Sequence, residues 1–334
     1  EGLLESQRLL DEAGVVHAGG GKTLSEARQA AFFDTPKGRV GLVGTASSFR
    51  ANAGANDRFM DVPARPGIST LRLRKINLVN AGQMEKIRSL AASLVSPKVE
   101  APKPDATEVT IGEEIYRLAD KPGLTYEMDL YDHAGLLKAV REGKDKSDLL
   151  AFTIHAHESP TGFDDDDPFP PDFLIRLAHD TIDAGSDAFL GHGQHGMRGI
   201  EIYKGKPVFY GLGAFFIRGE IKALQETALR VFPDATGRAP PPPPAERSVR
   251  PGGNPKSWYD GVVATVDYDA KGKATLVKLY PLDLGNTYEP MRRGMPYFAD
   301  PANAQRILAD LQKASAPFGT KIEVQGSVGV IRIP

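Results

Sequence analysis

Cysteine is absent from all 334 residues of the chain. Disulfides, thiolate nucleophiles and cysteine-ligated zinc are therefore excluded, and any metal ion would have to be held by His, Asp, Glu or Asn. An excess of one charge is lacking too. The 41 Lys and Arg face 43 Asp and Glu, a formal net charge of −2, so the overall balance draws the protein neither to nucleic acid nor to an anionic membrane. No run of about 18 apolar residues occurs, and no segment reads as a membrane-spanning helix. The opening EGLLESQRLLDEAGVVHAGGG is acidic and amphipathic where a signal peptide would be basic and then continuously apolar. There is no G-x-S-x-G elbow to support a serine hydrolase. HAGGGK at 17–22 lacks the spacing and the Ser/Thr of a phosphate loop, and reads as a turn.

What is present describes a globular chain long enough to bury a substantial core. Leu3, Leu4, Leu9 and Leu10 predict an amphipathic helix that stops at Gly14. RVGLVGTASSF at 39–49 reads as a buried parallel strand running into a functional loop. NAGQMEKIRSLAASLV then predicts a helix, and the Pro/Lys stretch at 96–107 a loop. From Asp129 onward the pattern is helix (DLYDHAGLLKAVREGK), strand (SDLLAFTIHAH), helix (PDFLIRLAHDTIDAGS) and strand (DAFLGHG). That is a β-α-β unit of a parallel sheet, with ligand sites expected at the strands' carboxyl ends. GIEIYKGKPVFYGLGAFF predicts a hairpin turning at Lys-Gly. The proline- and glycine-rich stretch within 219–257 reads as a solvated excursion. Two antiparallel strands, a helix from Pro301 to about Ala314 and a last strand, VGVIRI, complete the chain.

The chemistry concentrates in the few histidines, seven in all. FLGHGQHGMRG at 189–199 sets His192 and His195 three apart among glycines, on a turn that can aim both imidazoles at one point. The competing reading is a loop in which one histidine bonds backbone. TIHAHESP at 153–160 adds His155 at a strand end, the better ligand candidate of its pair. His157 and Glu158 read as partners or substrate-facing groups, with Glu158 able to accept the second N–H of a ligating imidazole. FDDDDPFPPD reads as a solvated loop before a Pro-started helix, since adjacent Asp side chains diverge. His17, His133 and His179 read as structural. Arg198 and Lys204 are candidates to meet an anionic substrate; solvated charge beside the hairpin is the alternative.

With those loops in place, the segments GLLESQRLLDEAGVVHAGGGKTLSEARQAAFF, HAHE, LAHDTIDAGSDAFLGHGQHG and RGIEIYKGKPVFYGLGAFF, in that order, resemble the poly-γ-glutamate capsule biosynthesis family (CapA, or PGA-cap). The resemblance extends over most of residues 1 to about 218, and the remainder looks like the C-terminal region of longer members. It implies an α/β calcineurin-like metallophosphoesterase fold, layered, with parallel and mixed β-sheets flanked by helices, and with N-terminal strands of that fold preceding Glu1. Residues 258–334 would complete the same domain. It implies His155, His192 and His195 as metal ligands for a divalent ion such as Mn, Zn or Fe. A dinuclear centre is expected only if the family's Asp-bearing strand and Asn-Asn-His-x-x-Asp loop lie N-terminal to Glu1, because paired cations about 4 Å apart need carboxylates between them. The family usually has Asn where Ala214 follows Gly-Leu-Gly.

The implied activity is metal-dependent hydrolysis of a phosphoester or an amide or γ-glutamyl bond. His157 and Glu158 are the catalytic candidates, Arg198 and Lys204 the substrate-binding ones, and the substrate is a small or polymeric anion. The alternative is a non-catalytic envelope protein that binds an anionic polymer for capsule assembly or export. The resemblance places such a protein in the cell envelope or outside it, with a cytoplasmic location still open.

Overall fold

Alternation along Leu149–Ala156 decides the architecture. Leu150, Phe152, Ile154 and Ala156 are buried on one face, while Thr153 and His155 on the other are half-buried. In the computed structural model, which describes residues 2–94, 102–163, 166–217, 255–288 and 292–334, this strand lies inside a six-stranded sheet. The order is Ile200–Tyr203, Lys206–Phe209, Ala188–Gly193, Leu149–Ala156, Gly38–Ala46, Ala31–Thr35. The four inner strands run parallel and the two edges antiparallel. The chain is thus α/β, as expected.

Helices cover one face. Asp129 caps the helix Leu130–Lys144 by accepting from Asp132 N, and the helix buries Leu136, Ala139 and Val140 at one-turn spacing. The crossover helix Asp172–Asp183 buries Phe173, Leu174, Leu177, Ala178, Thr181 and Ile182, and Gly185 ends it at φ 122°. Both helices pack on Val43, Leu150, Phe152 and Phe189. Phe152 and Phe189 stack at 5.7 Å, each contributing about 1.5–3 kcal/mol by burial.

The opposite face is covered from the C-terminal region. Asp260–Tyr268 and Ala274–Asp283 pair antiparallel, as expected, and Val328–Arg332 and Glu323–Gln325 extend that sheet. The helix Pro301–Ser315, capped by Asp300 and started by proline, joins it. Ile307, Leu308 and Leu311 share one apolar cluster with Val277, Leu279 and Ile331 and with Ile200 and Phe209 of the first sheet. The hairpin turns where expected, at Lys204 (φ 50°) and Gly205 (φ 76°).

Two features depart from the sequence reading. Residues 73–128 carry a separate four-stranded sheet, ordered Glu108–Ile111, Glu114–Leu118, Leu73–Val79, Gly123–Met128, on which the helix Ala81–Ser93 packs around Val79, Met84 and Val109. Where the excursion at 219–257 was expected to continue, Lys256–Tyr259 instead forms a 3-10 turn. The rest of that excursion, part of the 96–107 loop, and Asp164 and Asp165 lie outside the described residues.

Candidate functional site

Register brings the candidates together. In the parallel ladder Ala46, His155 and His192 sit side by side on three adjacent strands, so the loops that follow open at one rim. The Gly-His-Gly run is required there. A Cβ at Gly191 would lie 2.4 Å from the Tyr210 carbonyl oxygen, and Gly193 has φ 113° with the Ala156 amide 2.9 Å from where a Cβ would be. No side chain fits either position without moving backbone.

Four imidazoles meet at the rim, one more than the expected ligand set. The ring of His155 is 5.4 Å from that of His192 and 4.9 Å from that of His157, and His157 is 5.9 Å from His195. The Nε2 atoms of His155 and His157 lie 3.2 Å apart, so one ring donates a hydrogen bond to the other. His195 is stacked on Trp258, with centroids 4.0 Å apart and planes at 15°. The His192 imidazole is pushed down to about 4, first by loss of hydration and then by repulsion from His155 and His157. Its residue nevertheless keeps an exposed surface, so solvent reaches the cluster directly. His192 is neutral at pH 7 and keeps a lone pair for a ligand.

Loop hydrogen bonds hold the rim in place. Ser47 N donates to the His155 carbonyl at 3.0 Å and Ser48 Oγ accepts from His157 N at 2.7 Å. Ser47 Oγ donates to Glu158 Oε2 at 2.8 Å. Glu158 therefore faces a serine rather than a histidine ring nitrogen. From Glu158 a cleft of about 390 Å³ extends between the rim and the inserted sheet, lined by Ser47, Phe49, Arg72, Lys75 and Tyr126. Tyr126 donates to the Gly162 carbonyl at 2.8 Å. Its phenol is pushed up to about 12 by burial and by the charges of Glu158 and Asp172, so it stays a neutral donor.

The expected substrate cations lie elsewhere. Arg198 is fully buried and donates to the Glu158 carbonyl at 2.7 Å and the Asp167 carbonyl at 3.4 Å. It fastens the Glu158 loop from beneath and offers no face to a ligand. Lys204 occupies the hairpin turn at the opposite end of the sheet from the histidines, paired with Asp183 at 2.6 Å. The cations that do line the cleft, Arg72 and Lys75, come from the inserted sheet. Each has a carboxylate partner, Asp132 at 2.7 Å and Glu114 at 3.2 Å, and each keeps about half its surface exposed, 57% and 47%.

His155, His192 and His195 do not form a ready-made ligand set: among the described residues, no three or more His, Asp or Glu side chains are arranged to hold an ion. One physical reason is visible: His155 and His157 spend a ring nitrogen on each other. The donor chemistry itself, several imidazoles with one neutral at pH 7 and a carboxylate one residue from His157, fits a borderline cation. The remaining histidines are structural: His17 pairs with Asp11, His133 with Asp180 and His179 with Glu201.

Ser47, Ser48, Arg72, Lys75, Tyr126 and Trp258 were not legible as site residues. For the serines a signal existed, small polar residues directly after a buried strand. For Trp258 there was only its being the single tryptophan.

The chain is 37% identical over 352 aligned positions to y4sH, an uncharacterized protein of Sinorhizobium fredii, covering 100% of this chain and 73% of that one. Over 39 residues it is 54% identical to a probable polyglutamine synthesis accessory protein of Mycobacterium tuberculosis, 12% of this chain and 10% of that one. Over 76 residues it is 34% identical to the PGA biosynthesis protein CapA of Bacillus subtilis, 23% of this chain and 18% of that one. The model of the bacterial capsule synthesis protein family PGA_cap matches residues 1–218, the stretch that contains all four rim histidines, and the chain belongs to that family.

Proposed function

We propose that this protein is a metal-dependent hydrolase acting on an anionic substrate of capsule or poly-γ-glutamate metabolism, with the rim histidines as its centre. The observation that carries the reading is the convergence of four imidazoles and one carboxylate loop at the carboxyl ends of parallel strands, beside an open cleft. The family match and the name of the Bacillus relative support the substrate class.

His155, which touches both His157 and His192, is the central donor, with His192 beside it and His195 on the far side of His157; loading an ion would replace the His155–His157 hydrogen bond. A divalent cation of the Mn, Zn or Fe type would supply Lewis acidity and bring the pKa of water towards neutrality. The chain's own groups do the rest. His157 is placed to give a proton to the leaving group. Glu158, oriented by Ser47, can accept a proton from the attacking water or orient it. Arg72 and Lys75 line the cleft and favour the anionic part of a substrate without touching the reacting bond.

A panel of phosphodiesters and γ-glutamyl amides assayed with Mn or Zn tests this. Turnover of at least one class is expected, abolished by chelation and lowered at least about 100-fold in His155→Ala. Full activity after chelation would overturn the reading. The second reading, a non-catalytic protein that binds an anionic polymer, is favoured by the absence among the described residues of a preformed ligand set and by Ala214 standing where the family usually has Asn. It predicts polymer binding unchanged by chelation and no turnover.

A further inference from the structure

We propose that Trp258 is a positioning residue for His195, through which the region beyond the family-matched segment fixes the orientation of one rim imidazole. The family match ends at residue 218, yet His195 is stacked on Trp258, 4.0 Å away and almost parallel. His195 in turn is the ring that meets His157 from the far side of the cluster. The backbone before His195 is held, since Gly193 pairs with Ala156 in the ladder and the buried Gln194 donates its side-chain amide to the Tyr210 carbonyl at 3.0 Å, which leaves the half-buried imidazole its choice of side-chain rotamer. A flat stack removes that freedom before any ligand arrives, so the ordering cost is not taken from binding.

Trp258 packs against the cluster of Tyr259, Leu282 and Leu284, and its chain neighbours are tied into the fold. Ser257 Oγ donates to Asp166 Oδ1. Tyr259 is buried, and its carbonyl accepts from Leu284 N at 2.8 Å. Asp260 takes both guanidinium nitrogens of Arg306 at 2.7 and 2.8 Å, and Val262 N donates to the Leu212 carbonyl at 2.9 Å. These contacts tie the residues around Trp258 to the helix Pro301–Ser315 and to the end of the family-matched core. The position of the indole therefore follows from the packing of the C-terminal sheet and helix and does not depend on a ligand.

The test is nuclear magnetic resonance of the full chain with labelled histidine. In the wild type, the His195 ring protons should be shifted upfield by the indole and show a cross-peak to the His157 ring. Trp258→Ala should lose both while His17, His133 and His179 keep their signals, and Trp258→Phe should retain the cross-peak. If Trp258→Ala fails to fold, Trp258→Leu gives the same contrast with Trp258→Phe. Persistence of the His195–His157 cross-peak without an aromatic ring at 258 overturns the proposal.

The functional arm, which rests on the metal reading above, is zinc titration by calorimetry. Affinity should fall about 10-fold in Trp258→Ala and recover in Trp258→Phe, as for other groups that orient a ligating imidazole. Equal affinity in all three proteins also overturns it. If the wild type binds no zinc but the resonance changes occur as stated, the metal reading fails and the positioning role stands.

Discussion

Arg198 shows how a residue chosen for its charge can act through its burial. A guanidinium with no solvent exposure is tolerated only where oxygens replace water, and the carbonyls of Glu158 and Asp167 do so. Replacing it by Met removes charge-assisted hydrogen bonds while keeping most of the volume. Arg198→Met is therefore expected to cost about 1.5–3 kcal/mol, read as a lower denaturant midpoint at unchanged slope. Activity should fall as well, because the Glu158 loop loses its lower attachment. The sequence gives no means of separating these roles: Arg198 follows a glycine-rich loop, and its local pattern is the same whether the side chain points outward or beneath. His155 was legible for the opposite reason. It ends a strong alternating strand, and strand ends in parallel sheets point to one rim.

At the level of elements, Asp132 ties three pieces together. It sits in the first turn of Leu130–Lys144 and accepts from Arg28 of the short helix Leu24–Arg28 and from both the side chain and the backbone of Arg72, at the start of the inserted sheet. Burial alone would raise its pKa, but the hydrogen bonds from Arg72 and Arg28 outweigh it and hold the carboxyl below the usual range. A depressed carboxylate pKa contributes stability above the unfolded value, about 3.9, and that contribution is lost as pH falls through the lower folded value. Acid unfolding of the wild type should therefore steepen below pH about 4. Asp132→Asn should be less stable at pH 7 by about 3–5 kcal/mol, since it strands the buried Arg28, and should lose less on acidification. Stability curves from pH 7 to pH 2 for both proteins would check it. The inserted sheet escaped the sequence reading because charge pairs hold much of its surface, Arg74 with Glu108 and Arg117 with Glu108 and Glu127, and such strands carry little apolar periodicity.

The molecule as a whole is not cut where the family match ends. Ile200 and Phe209 lie in the matched segment, yet they are buried with Val277, Leu279, Ile307 and Leu311, which lie outside it. A chain ending at residue 218 would expose that face of the main sheet. It is expected to bind a hydrophobic dye and to melt without a cooperative transition, whereas the full chain should melt cooperatively. The β-α-β unit was legible because it rests on local runs. The closure of the second face was not, because it depends on contacts between segments far apart in the chain.

The single indole of the protein is parked over one of the four rim imidazoles. Light absorbed by tryptophan in this molecule is thus absorbed at the candidate centre and nowhere else. Its emission will register any ion, substrate or rearrangement that disturbs His195, which gives the protein an intrinsic optical probe that requires no label.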